Sequence, residues 1–187
     1  MPTLLTHPAV PLALGLGLGA STISRRLLLA GIALCLLPDL DVLAFQFAIP
    51  YAAGLGHRGF THSLLFAALA ALAGALLLRR YQERFTPSLL FLFIATASHG
   101  ALDALTNGGH GIAFFWPYSL ERYFAPLQVI EVSPLSAHRF FSPRGATVLM
   151  SEFLWVWLPC IGLFAGLAAY RTLMADGRLR QAVPRRP

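Results

Sequence analysis

Hydrophobic residues in this chain run in long, nearly unbroken blocks, without the alternation of strands or the one-sided stripe of surface helices. Five blocks are read, at approximately 8–23, 27–49, 62–78, 87–105 and 147–170. A helical crossing of a bilayer needs about 20 apolar residues. The second and fifth blocks exceed that length, and the third and fourth are slightly short but adequate. The first is short and rich in Gly and Pro, fitting either a thin crossing or a re-entrant segment. The pattern predicts an all-α membrane protein, a bundle of four to five transmembrane helices. The connection 106–146 is too polar and Pro-interrupted to cross, yet it carries Phe114, Phe115, Trp116, Phe124, Phe140 and Phe141. Aromatics of this kind sit well at the headgroup level. The expectation is an interfacial loop over a polar site, with a short helix around Leu120 to Phe124.

Polar residues interrupt the blocks at a few positions, and they are of a restricted kind. Asp39 and Asp41 interrupt the second, His99 and Asp103 the fourth, and His57 and His62 bracket the start of the third. An ionised Asp near a bilayer centre costs roughly 2.5–3.5 kcal/mol on insertion scales, so such groups face a partner, a cavity or an ion. Their oxygen and nitrogen atoms are those that ligate divalent metals.

Composition places the chain in the membrane class: 57% of its 187 residues are hydrophobic and 12% charged, against roughly a quarter charged in soluble domains. The net charge of +6 comes wholly from arginine, as no lysine is present. These arginines lie at block ends and in the tail and form no stripe, which argues against nucleic acid and for topology and anionic headgroups. Arg25, Arg26, Arg79, Arg80, Arg84 and the tail arginines 171, 178, 180, 185 and 186 fall on one side if the chain crosses five times. The positive-inside rule makes that side cytoplasmic and the N-terminus external. His7, His57, His62, Asp39, Asp41, His99 and Asp103 then all reach the outer half of the membrane, the aspartates about 20 Å above Arg26 at 1.5 Å per residue. Residues 1–170 are read as one helical transmembrane domain and 171–187 as a loosely ordered basic cytoplasmic tail. Localisation is expected in a bacterial-type inner membrane. Cys35 and Cys160 read as small core residues with no disulfide. With no basic stretch before the first block, no cleavable signal peptide is expected.

His99 and Asp103, at i and i+4, share a helix face and can converge on one ion. Asp39 and Asp41 diverge by about 200° on a regular helix, so both cannot chelate one ion unless Pro38 breaks the helix. One can ligate while the other bridges a second ion, orients a His or acts as base. His57-Arg58-Gly59-Phe60-Thr61-His62-Ser63 offers two imidazoles and a guanidinium where a helix cap would need only Thr61 or His62. Arg58 can grip a phosphate or carboxylate through its fork. His110 and His138 read as exposed loop residues, and Glu121 and Arg122 as headgroup contacts or solvated charges.

These strings, in this order, resemble the YdjM-like family of membrane-bound metal-dependent hydrolases, first described through LexA-regulated members. The resemblance rests on Thr6-His7, on Leu37-Pro38-Asp39-Leu40-Asp41 and on the His57–Ser63 string. It continues with Ser98-His99-Gly100-Ala101-Leu102-Asp103 and Phe115-Trp116-Pro117, up to about Pro126. It implies metal ligands at His7, Asp39, Asp41, His57, His62, His99 and Asp103, holding one to three divalent ions, zinc first among them. It also implies a distant likeness to zinc-dependent phospholipase C. The expected activity is hydrolysis of an ester or phosphoester, with a membrane lipid as environment and substrate. Asp39 or Asp41 would be the base, and Arg58 would stabilise the oxyanion. The competing readings are a metal-stapled membrane protein without turnover and an ion or proton carrier through Asp39, Asp41, His99 and Asp103.

Overall fold

The computed structural model describes residues 1–134 and 140–182, with side chains through 175. His138 therefore lies outside the described residues. The apolar blocks are largely helical, the first of them only over Ala9–Leu18. α1 spans Ala9–Leu18, α2 Arg25–Leu36, α3 Leu64–Leu78, α4 Phe85–Ala104, α5 Pro143–Glu152 and α6 Leu158–Ala182. A 3-10 helix, Leu37–Phe47, prolongs α2, and a π-helical turn, Phe153–Trp157, joins α5 to α6. Among the described residues, four stretches are long and apolar enough to cross a membrane: Arg25–Phe47, Leu64–Tyr81, Phe85–Ala104 and Pro143–Ala175. Among the described residues there are no strands, only isolated bridges between Thr106 and Ile130 and between Ile112 and Tyr123.

Serines start three of the helices. The Ser24 hydroxyl accepts from Leu27 N at 3.1 Å, Ser63 from Phe66 N at 3.1 Å, and Ser142 from Arg144 N at 3.3 Å ahead of Pro143. Each satisfies a first-turn amide that would otherwise be orphaned. The cap of α3 is thus Ser63, one residue past Thr61 and His62, which leaves both free for the site.

Small residues let the helices approach closely, as van der Waals contact in a bilayer requires. Ala71 and Ala75 of α3 are fully buried in one cluster with Leu27 of α2 and Phe91 and Leu92 of α4. α1 lies parallel to α6, its start beside Trp157 and Cys160 and its end beside Arg171. Arg171 Nη1 donates to the carbonyls of Leu16 and Gly17 at 3.2 Å each. α1 thus runs from the end of the bundle holding the polar residues to the end holding Arg25, Arg79, Arg84 and Arg171. Its ten residues cover about 15 Å, half of a hydrocarbon core. The last helix stays helical to Ala182, past the point where a loose tail was expected.

The connection over the site contains no helix at Leu120 to Phe124. Tyr123 instead pairs with Ile112, each amide donating to the other's carbonyl at 2.9 Å. Arg122 holds that geometry: it donates to the carbonyls of Tyr51 (3.0 Å), Ala53 (3.1 Å), His57 (3.1 Å) and Gly111 (3.5 Å). A residue so anchored on both sides draws its segment out across the site, where a helical turn would pull it away. Arg122, expected as a solvated charge or a headgroup contact, is half-buried and ties the connection to the loop before α3.

Gly17 lets α1 and α6 approach closely; a Cβ there would lie 2.8 Å from Leu167 Cβ and 3.4 Å from Phe164 Cα. Replacing Gly17 with Leu overpacks this seam and is expected to destabilise the fold by about 1–3 kcal/mol, read as a lower thermal midpoint in detergent.

Candidate metal centre

The polar residues that interrupted the apolar blocks meet at one end of the bundle. Asp39 comes from the 3-10 extension of α2, His62 from the short 3-10 turn Phe60–His62, His99 and Asp103 from α4, and His7 from the segment before α1. All five are buried, with His7, His99 and Asp103 at 0% exposure. Asp39, His62, His99 and Asp103 each offer one ligand atom, all within 4.8 Å of one another.

The tautomers are dictated by neighbours. His99 Nδ1 lies 2.8 Å from the Cys35 carbonyl, which can only accept, so Nδ1 carries the hydrogen and Nε2 of the neutral ring is bare. His62 Nδ1 lies 3.1 Å from Asp41 Oδ2, again an acceptor, which leaves its Nε2 bare as well. Yet these two Nε2 atoms face each other at 3.1 Å. Two lone pairs at that distance repel unless a cation lies between them. Around them, His99 Nε2 is 3.3 Å from Asp39 Oδ1, and His62 Nε2 is 3.4 Å from Asp103 Oδ2. At metal–ligand distances of about 2.0–2.1 Å, two ligands of a tetrahedral ion lie about 3.3 Å apart.

The oxygens of Asp39 and Asp103 and both nitrogens of His7 are buried without a hydrogen bond among the described residues. Orphaned polar atoms are rare in buried settings, and here they collect around one point. His7 Nε2 is 3.8 Å from Asp39 Oδ2 and 3.8 Å from Asp103 Oδ1, and its ring stacks on His99 with centroids 3.8 Å apart. Burial pushes the His7 imidazole well below its ordinary range. It is therefore neutral at pH 7, the form that ligates metal. The donor set fits a divalent ion.

Asp41 and His57 form a layer behind this centre. Asp41 Oδ1 takes His57 Nδ1, and Oδ2 takes the Arg58 amide (3.0 Å), Thr61 Oγ1 (2.6 Å) and His62 Nδ1. Both oxygens are thus occupied, and Asp41 orients His62 as carboxylates orient metal-bound imidazoles. Asp41, His57 and His62 also satisfy the geometry of a second ion-holding group, with His62 common to both. Asp39 and Asp41 diverge as their spacing predicted, and Pro38 stands at the start of the 3-10 run without bringing them together.

Arg58 is 1% exposed and held on several sides. Its Nε lies 3.1 Å from Asp103 Oδ2, Nη1 donates to the Gly108 carbonyl at 2.9 Å, and Nη2 donates to Thr106 Oγ1 at 3.2 Å. Its backbone sits at φ +63°, a region side-chain-bearing residues rarely adopt. Gly109, at φ +91°, lets the loop close on the guanidinium; a Cβ there would lie 2.5 Å from Nη1. His110 is exposed, with its ring against Tyr51.

Sequence reasoning missed the Cys35 carbonyl and Thr106. A backbone carbonyl carries no side-chain signature, and Thr106 looks like any residue after a helix. Beside the centre lies a cavity of about 250 Å³, lined by Asp39, His57 and Arg58 on one side and Val42, Phe45, Tyr51 and Val132 on another.

A model of the family described as "YdjM inner membrane protein" matches residues 1–175 of the chain. The chain is 50% identical over 160 residues to the inner membrane protein YbcI of Escherichia coli (strain K12), covering 85% of this chain and 92% of that one. It is 33% identical over 135 residues to the inner membrane protein YdjM of the same strain, and equally to that of Shigella flexneri. Those matches cover 67% of this chain and 62% of each relative. No solved structure matches. By sequence and by its apolar helices, this chain belongs to the YdjM family of inner membrane proteins.

Proposed function

We propose that this protein is a membrane-embedded, metal-dependent hydrolase acting on an ester or phosphoester of a lipid. The observation that carries the metal is the pair of bare imidazole nitrogens facing each other at 3.1 Å among orphaned carboxylate oxygens. Charge supports one ion. Asp39, Asp41 and Asp103 against Arg58 leave two negative charges in buried surroundings, while burial pushes the nearby Met1 amino group down to about 6. Zinc suits the nitrogen and oxygen donors. When bound, it supplies Lewis-acid polarisation and acidification of water.

The chain's own groups divide the remaining work. His7, His62, His99 and Asp103 hold the ion, and Asp41, His57 and the Cys35 carbonyl keep the rings aimed. Asp39 borders both the centre and the cavity, so it is placed to take a proton from water entering there. Asp41 is not: both its oxygens are engaged. Arg58 pairs with Asp103 and, with five N–H donors, retains hydrogens for a developing oxyanion. The apolar wall of Val42, Phe45 and Val132, next to polar groups, suits an amphiphile whose scissile bond reaches the centre. The likeness to zinc-dependent phospholipase C is part of this proposal. So is the orientation, in which the site faces the outer side and the arginine-rich end the cytoplasm.

The deep burial of the cluster favours a second reading, a metal that staples the helices without turnover. A carrier fits less well, because Leu27, Ala71, Ala75, Phe91 and Leu92 fill the bundle below the centre with apolar packing.

Detergent-purified protein is expected to hold close to one zinc per chain by mass spectrometry. His99→Ala is expected to lose it, and retention there would sink the proposal. Asp41→Asn is expected to keep zinc with about 10–100-fold weaker affinity. Against vesicles of phosphoester and ester lipids, Asp39→Asn is expected to lose about 10²–10⁴-fold in rate while retaining metal. Zinc-loaded wild type without turnover on either class would favour the staple. For orientation, Tyr118→Cys at the site end is expected to react with a membrane-impermeant maleimide in intact cells, and Tyr81→Cys at the arginine end is not. Both positions are exposed, whereas the native Cys35 and Cys160 are buried.

A further inference from the structure

Glu152 ends α5 inside the stretch Pro143–Ala175, at 1% exposure. It touches none of the metal-centre residues, and no basic side chain pairs with it among the described residues. A carboxylate at that depth is costly unless donors surround it. Its donors come from the other end of the chain. Thr3 N donates to Oε1, and the hydroxyls of Thr3 and Thr6 donate to Oε2 at 2.7 and 2.6 Å. Thr6 Oγ1 also accepts from Trp157 Nε1 at 3.2 Å.

The π-helical turn makes this double grip geometrically possible. Residues i and i+5 of an α-helix point about 140° apart. A turn closed by i→i+5 hydrogen bonds brings them over one another. Phe153–Trp157 is that turn, and Glu152 and Trp157 both reach Thr6 across it.

Thr6 precedes His7, whose ring is held by little else. Neither of its nitrogens has a hydrogen bond among the described residues; the ring rests on His99, and its carbonyl accepts from Cys35 Sγ at 3.3 Å. The direction of His7 toward Asp39 and Asp103 is therefore set by its backbone. We propose that Glu152 is a positioning residue of the metal centre, clamping Thr3 and Thr6 so that His7 faces Asp39 and Asp103. This rests on the metal reading above, and a leucine at 152 would pack without providing it.

Two measurements test it separately. In metal-free protein, hydrogen exchange followed by mass spectrometry is expected to quicken at residues 3–9 in Glu152→Leu, with peptides of α3 and α4 unchanged. In zinc competition against a chelator, Glu152→Leu is expected to weaken binding about 10–100-fold, and Glu152→Gln, which keeps an acceptor oxygen, by less. The double variant Glu152→Leu/His7→Phe is expected to bind no more weakly than His7→Phe alone. Wild-type affinity in Glu152→Leu, or losses that add in the double variant, would overturn the proposal. If the leucine variant does not fold, Thr6→Val carries the same comparison. If wild type binds no zinc, the metal reading falls by itself, and unchanged exchange at residues 3–9 would overturn the clamp independently.

Discussion

Everything at the polar end of this bundle depends on concentrated negative charge and unshared electron pairs in deeply buried surroundings. Two imidazoles whose outer nitrogens are already committed to acceptors present their inner nitrogens to each other, and unbonded carboxylate oxygens stand beside them. Soluble proteins relax such a cluster by admitting water. Here apolar helices surround it, and the balance falls to a cation or to Arg58, the buried guanidinium among the described residues. Arg58 meets part of the need by pairing with Asp103.

The scaffold follows from that demand. His99 projects from within α4, while the other donors arrive at or near the ends of elements, where the backbone can depart from regular helix. Asp39 lies just past the α2-to-3-10 transition, His62 just before the cap of α3, and Asp103 in the last turn of α4. The 3-10 run from Leu37 to Phe47 is far longer than the three or four residues such helices usually reach. It turns Asp39 to the centre and Asp41 to the imidazoles behind it. Close packing through Gly17, Gly31 and the buried alanines then keeps these ends in register.

Much of this was legible because a bilayer penalises stray polar groups. His99 and Asp103 stood out by their spacing, and the arginine pattern alone placed His7 beside residues far along the chain. The divergence of Asp39 and Asp41 was legible from helix geometry, but which of them faces the centre was not, because that depends on the phase at which α2 tightens. Arg58 stood out as a candidate to grip an anion, but its place in the fold did not. Its bonds to Asp103, Gly108 and Thr106 need a left-handed backbone and a loop some fifty positions away, neither of which leaves a local trace. Leu120 to Phe124 had helix-compatible residues, yet long-range bonds from Arg122 override local propensity. Glu152 escaped notice because a single acid in an apolar block, without a motif, reveals no partner.

The contact between α1 and α6 also has a bearing on how the protein comes into being. The first helix is short, and its closing carbonyls are satisfied by Arg171, a residue synthesised more than 150 positions later. During translation the early segment therefore waits, incompletely bonded, until the final helix has entered the bilayer. Contacts this distant in sequence form late, because the intervening chain must first be ordered. The four residues that could hold an ion, from Asp39 to Asp103, all precede that helix in the chain, so the polar end of the bundle can gather first and the seam between the first and last helices closes over it afterwards.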